Sequence, residues 1–404
     1  MQDSIVAISR IQRPIDQATI EIAVKDAFYK ALAGRKIISH GASVVLKPNI
    51  FAPIPPPATT DPRVIAALIE IVKAEGAGDV IVAEGRSIST AKYRKSNNTT
   101  RLCAELLGYP QLVEQTGGRM VYLEEDELVE VDVPGGLVFR KAHVPKTIID
   151  ADVLINVPAM KIHSLALITI GIKNLHGLLS DEDKLFGHSY YKLPTKLTDF
   201  LRIRKPDLTV VDGVIAQEAD HAEDGIPADL GLIIAGTDVV SVDAVCSSVM
   251  GIDPFEVDTT RMADQYGLGE ADLANIRIKG AQVEDVCKPF IRPDIEISQE
   301  RFPSIRIITG DYCKSCQYYI RRGLDKLLES GVPADGQELT VIFGKEPPVP
   351  DTLPGKVIMI GDCCLSSQSI RRLRDHLMLD GRLQTVYACP PMQFRIRALE
   401  LAGD

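Results

Sequence analysis

The final quarter of the chain restricts the fold more than any other stretch, because three of its short β-rich apolar runs end in cysteine. Residues 304–309 lead into "GDYCKSC", 356–360 into "GDCC", and 383–388 into "CPP". A fourth run, 338–343, lies between the first two. Helical patterns alternate with these runs: Tyr318 to Glu329 with Leu324, Leu327 and Leu328 on one face, Ser367 to Leu379 with Ile370, Leu373 and Leu377, and Met392 to Leu401. Strands alternating with helices predict a small parallel sheet covered by helices. Loops at the carboxyl edge of such a sheet converge on one crevice. Cys313, Cys316, Cys363, Cys364 and Cys389 are therefore expected to lie along a single edge.

Composition decides what thiols gathered there are for. The 404 residues carry a net charge of -10, and no clustered Lys and Arg offset it, which argues against a nucleic-acid backbone as partner. Neither a signal peptide nor an apolar run long enough to span a membrane is visible, so a cytoplasmic protein without membrane insertion is expected. In a reducing compartment, clustered cysteines point to metal rather than to disulfides. Four thiolates from three loops suit zinc or an iron-sulfur cluster. A Cys-Pro step after the last ligand favours the cluster, as does the absence of the two compact knuckles of a zinc ribbon. Cys103, Cys246 and Cys287 are scattered and are expected to be inert, mostly buried thiols.

Gly-x-Cys after one strand and Cys-Pro-Pro after a later one, with an earlier cysteine pair, resembles the proximal-cluster pattern of the NiFe hydrogenase small subunit and its counterpart in respiratory complex I. The resemblance covers roughly the last hundred residues. It implies a 4Fe-4S cluster on Cys313, Cys316, Cys363 and Cys389. The chain departs from the pattern in having C-x2-C where an adjacent pair is usual, and in the additional Cys364. Cys363 and Cys364 thus remain alternatives for the third ligand, Cys363 being the one that follows Gly-x.

The first three quarters carry a different signature. "SVVLKPNIFAP" runs from a strand into Lys47-Pro48-Asn49. "ATTDPRVIAALIEIVKAEGA" offers Thr60 or Asp61 as N-cap and Pro62 as the first helical residue. "DVIVAEGRS" is the next strand, completing a βαβ unit. "ADVLINVPAMKIHS" ends a strand at Lys161 and His163, "ITIGIKNLHGLLS" carries Lys173, Asn174 and His176, and "DLTVVDGVIAQE" ends a strand at Asp212-Gly213. Five motifs in this order, K-P-N, T-D-P, K-x-H, K-N-L-x-G and D-G, resemble the uncharacterised family catalogued as domain of unknown function 362, over residues 40 to 255 or so. The resemblance implies an iron-sulfur cluster in some members and supplies no reaction.

The fold class expected is α/β: a mostly parallel N-terminal sheet with helices on both faces over residues 1–295, and a smaller α/β cluster-binding domain over 300–404. The proline-rich "KPFIRPDIEISQERFPS" bridges them, and "VEVDVPGGLVFRKAHV" is expected to form a hairpin turning at Gly135 and Gly136.

In the N-terminal part, Lys47, Lys161 and Lys173 lie at or beyond strand ends, and ammonium groups converging there would hold a small anionic carboxylate or phosphate, with Asn49 and Asn174 beside them. His163 would move protons, with Asp212 or Glu84 orienting it or acting as acid or base. His176 and His188, with Asp181 and Asp183 between them, form either a second metal site or a polar loop over the crevice. Residues 86–100 read as an exposed loop. No dinucleotide or Walker sequence is present. The expected function is an iron-sulfur redox enzyme acting on a small anion, with an electron-transfer protein as partner. The alternatives are a non-redox lyase or isomerase and an electron carrier or assembly factor without its own substrate.

Overall fold

The computed structural model describes residues 4–87, 99–186, 192–220, 225–334 and 336–403. The described residues form two compact units, one ending at Pro293 and one beginning at Asp294.

Strands of the first unit are β1 (Ser4–Arg10), β2 (Ser43–Lys47), β3 (Asp79–Glu84), β4 (Arg119–Tyr122), β5 (Leu128–Asp132), β6 (Lys141–Pro145), β7 (Val153–Asn156), β8 (Ala159–His163), β9 (Leu167–Thr169), β10 (Leu208–Glu218), β11 (Ile226–Gly236) and β12 (Ile276–Gly280). The main sheet runs β12-β1-β11-β10-β7-β2-β3-β4, with β8 paired to β10 and β9. Its β10-β7-β2-β3-β4 stretch is parallel. β11 lies antiparallel to both β10 and β1. Strands buried on both faces need unbroken apolar runs, and Val44, Val45 and Leu46 in β2 are all fully enclosed.

Alternation then assigns the faces. Val44, Leu46, Val80 and Val82 pack with the helices Gln17–Leu32 and Pro62–Ala74. Val6, Ile8, Val45 and Ile81 pack with Leu193–Ile203 and Val239–Val249. Asp61 caps Pro62–Ala74, its side chain accepting the Arg63 amide, with proline in the first turn. β5 and β6 pair as a separate antiparallel hairpin. No helix among the described residues is long and apolar enough to cross a membrane.

The second unit contains β13 (Ile305–Thr309), β14 (Leu339–Phe343), β15 (Lys356–Ile360) and β16 (Leu383–Val386), all parallel and adjacent in chain order. Helices Lys314–Glu329 and Met392–Gly403 cover the face of Val341, Phe343, Ile358 and Ile360. Helix Arg371–Leu379 covers the face of Ile342, Val357 and Met359.

Four local expectations change. The single strand expected over "ADVLINVPAMKIHS" is two, β7 and β8, and the helix expected from Ser367 begins at Arg371. The helix expected from Tyr318 begins one turn earlier, at Lys314, because Cys313 is its N-cap and the first turn carries no periodic apolar residue. Asp212-Gly213 lies inside the eleven-residue β10 rather than at a strand end, at a register irregularity between Gly213 and Ile215.

Candidate functional site

Three neighbouring parallel strands end in polar residues. Lys47 closes β2, Glu84 closes β3 and Asn156 closes β7, with Lys47 and Asn156 in direct register. Their side chains enter a buried network. Lys47 Nζ lies 2.7 Å from Glu84 Oε1 and donates to Pro48 O and Asn174 Oδ1. Glu84 also accepts the amides of Ile50 and Gly85. Asn174 Nδ2 donates to Asn156 Oδ1 at 2.8 Å, and Asn49 Nδ2 donates to Asn174 Oδ1 at 2.9 Å. Such a network is stable only when every member is satisfied, since an unpaired polar group in a low-dielectric interior is costly. The shape of the backbone protects it: a Cβ placed on Gly177 would stand 2.5 Å from Glu84 Oε1 and 3.0 Å from Lys47 Nζ.

The motifs spaced along the sequence are joined by these bonds. The Asn49 amide donates to Thr60 Oγ1, and Thr60 Oγ1 donates to Val157 O. The Asp61 amide donates to Asp212 Oδ2 at 2.7 Å, and Lys161 Nζ donates to Asn49 Oδ1 at 2.8 Å and to Ala58 O. Lys161 is 3% exposed and its amine lies 4.2 Å from the centre of the Phe51 ring.

The three lysines differ in their partners. Lys47 has a carboxylate. Lys161 has only neutral acceptors, and burial, with Lys173 close by in electrostatic terms, holds its amine well below the usual lysine range. Lys173 lies in the short helix Gly171–Asn174, and its side chain makes no hydrogen bond or ion pair among the described residues. Burial and then the Lys47 charge lower it to about 8. All three amines feel one another, so they share one neighbourhood.

His163 closes β8, and its Nδ1 accepts the amides of Leu165 and Ala166, which leaves Nε2 to carry the proton. Neither proposed orienting group reaches it. Glu84 is taken by Lys47 and two amides, and Asp212 by the amides of Asp61 and Val214. Burial and then the neighbouring Asp61 raise Asp212 to about 7. Asp61 is itself clasped by the Arg63 guanidinium at 2.7 Å. Asp61, Arg63 and Asp212, with Pro56, Pro62 and Ile215, line a cleft of about 380 Å³.

Sequence offers Glu84 only as a partner of His163 or as an acid or base, and it misses both Arg63 and Asn156. An asparagine ending the apolar run "VLIN" was the available signal, because a polar residue there must find a buried partner. The segment after His176 is more ordered than a polar loop: Asp181–Leu185 is a helix capped by Ser180, and Lys184 is buried. His188 and most of the 86–100 segment lie outside the described residues.

In the second unit, the Cys316 thiol lies close enough to Cys313 and Cys363 for each to perturb the others. The Cys316 contact lowers Cys313 to about 5 and Cys363 to about 7, while Cys316 itself is raised by the same two partners. Gly361, at φ +93°, sits where the segments meet: a Cβ there would stand 3.8 Å from Cys363 Sγ and 3.9 Å from both Cys316 Sγ and Ala388 O. Ala388 precedes Cys389, whose residue is exposed. Cys364 points elsewhere, its thiol 3.7 Å from Ile342 O, and burial pushes it up to about 12. Among the described residues, no group of three or more His, Cys, Asp or Glu side chains is gathered tightly enough to hold a metal ion. The three thiols are neighbours rather than donors already arranged about a centre. As a donor set they fit a thiophilic group: three sulfurs from two loops, with the Cys389 segment beside them.

Residues 44–248 match the family described as Domain of unknown function (DUF362). The chain is 28% identical over 238 residues to the thylakoid-associated protein sll1697 of Synechocystis sp. (strain ATCC 27184 / PCC 6803 / Kazusa), an alignment covering 57% of this chain and 70% of that protein. Among solved structures, the lactate racemase apoprotein from Thermoanaerobacterium thermosaccharolyticum aligns at a TM-score of 0.37 and 12% identity, over 99% of this chain and 90% of that one.

Proposed function

The chain belongs to the family described as Domain of unknown function (DUF362), and on that premise we propose that it is an iron-sulfur redox enzyme with a small-anion site among the family's own motifs. The 4Fe-4S cluster would be held by Cys313, Cys316, Cys363 and Cys389, and would supply one-electron transfer. The observation that carries this reading is the meeting of Cys313, Cys316 and Cys363 beside Gly361 and the Ala388-Cys389 segment. Thiols kept for packing alone would not be drawn from segments this far apart in the chain to one sheet edge. Zinc on the same thiolates is the alternative.

Of the three motif lysines, Lys161 and Lys173 are without a carboxylate among the described residues, and they favour a carboxylate or phosphate ligand. A plain electron carrier has no use for them. Lys47 supports the site through Glu84 and Asn174 rather than by offering a free charge. The test is anaerobic purification with iron and acid-labile sulfide measured per chain, followed by a thermal-shift screen of small carboxylates and phosphates. Iron and sulfide together with a saturable shift support the enzyme. Zinc without sulfide overturns the cluster, and a cluster without any anion response returns the carrier reading.

A further inference from the structure

Arg63 is only half used by its ion pair. The Asp61 carboxylate takes the side of the guanidinium that carries Nε and one N–H of Nη2, at 3.0 Å and 2.7 Å. Nη1 makes no hydrogen bond among the described residues, so the Nη1–Nη2 edge, the other edge on which a guanidinium grips a carboxylate, is free. Asp212 is the opposite case. It is buried, each of its oxygens accepts one backbone amide, and no cation pairs with it among the described residues, the neighbouring Arg63 being committed to Asp61. Both residues line the cleft of about 380 Å³, a volume at the lower end of the roughly 300–1,000 Å³ of small-molecule sites. Its apolar wall is Pro56, Pro62 and Ile215, and Ile215 is the one exposed residue of the otherwise buried β10.

Charge decides what such a cleft takes. A simple anion would satisfy the free edge of Arg63 and face the unmatched Asp212 carboxylate. A simple cation would satisfy Asp212 and face the guanidinium. A ligand carrying both charges satisfies both. We propose that the cleft binds a small zwitterionic 2-amino acid with an apolar side chain, its carboxylate on the Nη1–Nη2 edge of Arg63, its ammonium on Asp212 and its side chain against Ile215 and the two prolines. None of Lys47, Lys161 and Lys173 lines this cleft, so the inference stands apart from the anion site proposed above. Burial and then Asp61 raise the empty Asp212 to about 7, and an arriving ammonium favours its ionised form, so binding at neutral pH releases a proton to solvent.

The experiment is isothermal titration calorimetry of the full chain with the L and D forms of alanine, valine and leucine. The expected result is saturable binding of at least one of them. Its deaminated acid and its decarboxylated amine should displace it only at about tenfold higher concentration or more, since each forgoes one charge-assisted hydrogen-bonded contact. Heats in two buffers of different ionisation enthalpy should show a proton released, and Asp212→Asn should abolish that release. Arg63→Gln should weaken the amino acid about tenfold, and Ile215→Ala should narrow the preference for leucine over alanine. Absence of binding by every amino acid to wild-type protein, displacement by the acid or the amine at equal concentration, or an affinity unchanged in a folded Arg63→Gln protein overturns the inference. If no amino acid binds while the thermal shift with carboxylates persists, the anion site stands and this inference falls alone. The wild-type displacement series needs no substitution, so a variant that fails to fold leaves the outcome intact.

Discussion

Lys47 Nζ and Glu84 Oε1 lie 2.7 Å apart, with side chains 1% and 3% exposed, at the ends of adjacent parallel strands. Desolvation lowers the lysine and the Glu84 charge opposes that shift. Removing one partner strands a buried charge. Glu84→Gln should therefore destabilise the first unit by about 3–5 kcal/mol, and Lys47→Met by a similar amount. The double variant should cost clearly less than the sum, since neither charge is left alone. Urea denaturation of the four proteins checks this, and strict additivity would show that the pair does not act as a unit.

Gly177 is fixed by close approach, and its φ is not in the left-handed region. A methyl there would intrude on Glu84 Oε1 and Lys47 Nζ, both ends of a pair that has no room to retreat. Gly177→Ala should cost about 1–3 kcal/mol by overpacking. Gly34 has nothing within reach of a Cβ, but it needs positive φ, so a substitution there is strained for a different reason. Thermal melts of Gly177→Ala and Gly177→Ala/Glu84→Gln separate the causes: relief in the double variant would assign the clash to the carboxylate.

Much of the first unit was legible because parallel strands must be apolar on both faces, and "VVLK", "VIVAE" and "VLIN" each end that requirement with one polar residue. The family motifs carried the site residues. What sequence could not give is partnership. Lys47, Lys161 and Lys173 look equivalent as strand-end lysines, yet only one meets a carboxylate, because that depends on which strand ends beside which. Asp212-Gly213 looked like a strand end for the same reason: the bulge inside β10 is a property of its pairing with β11, which spacing alone does not reveal.

Asp212 gives a pH signature. Its folded value, about 7, lies above the ordinary carboxylate value near 4. Between these limits the folded state binds more protons than the unfolded state, so its contribution to stability is full below about 4 and is lost as pH rises through about 7. The stability of wild type relative to Asp212→Asn should fall by on the order of a few kcal/mol from pH 4 to pH 8. Denaturation at several pH values reads this directly. A difference that is flat, or rises with pH, would mean that the Asp61 and Val214 amides hold Asp212 ionised throughout.

The two adjacent cysteines after β15 make the sharpest test of the proposed cluster. Cys363 opens toward Cys316 and Cys313, which pack with Ile320 and Leu324. Cys364 turns to the opposite face, against Ile342, Met359 and Leu373. Gly361 permits this divergence, because its φ of +93° is a conformation that a side chain would strain, and it redirects the chain as the strand ends. Cys363→Ser should therefore lose most of the bound iron and sulfide while keeping the wild-type far-ultraviolet circular dichroism. Cys364→Ala should keep the iron, and should instead lower stability by roughly 1 kcal/mol through the small cavity left in a packed face. Iron content and melting temperature move in opposite variants on this reading. If Cys364→Ala loses the iron and Cys363→Ser retains it, the ligand assignment is wrong, and if both retain it, the centre lies elsewhere in the chain.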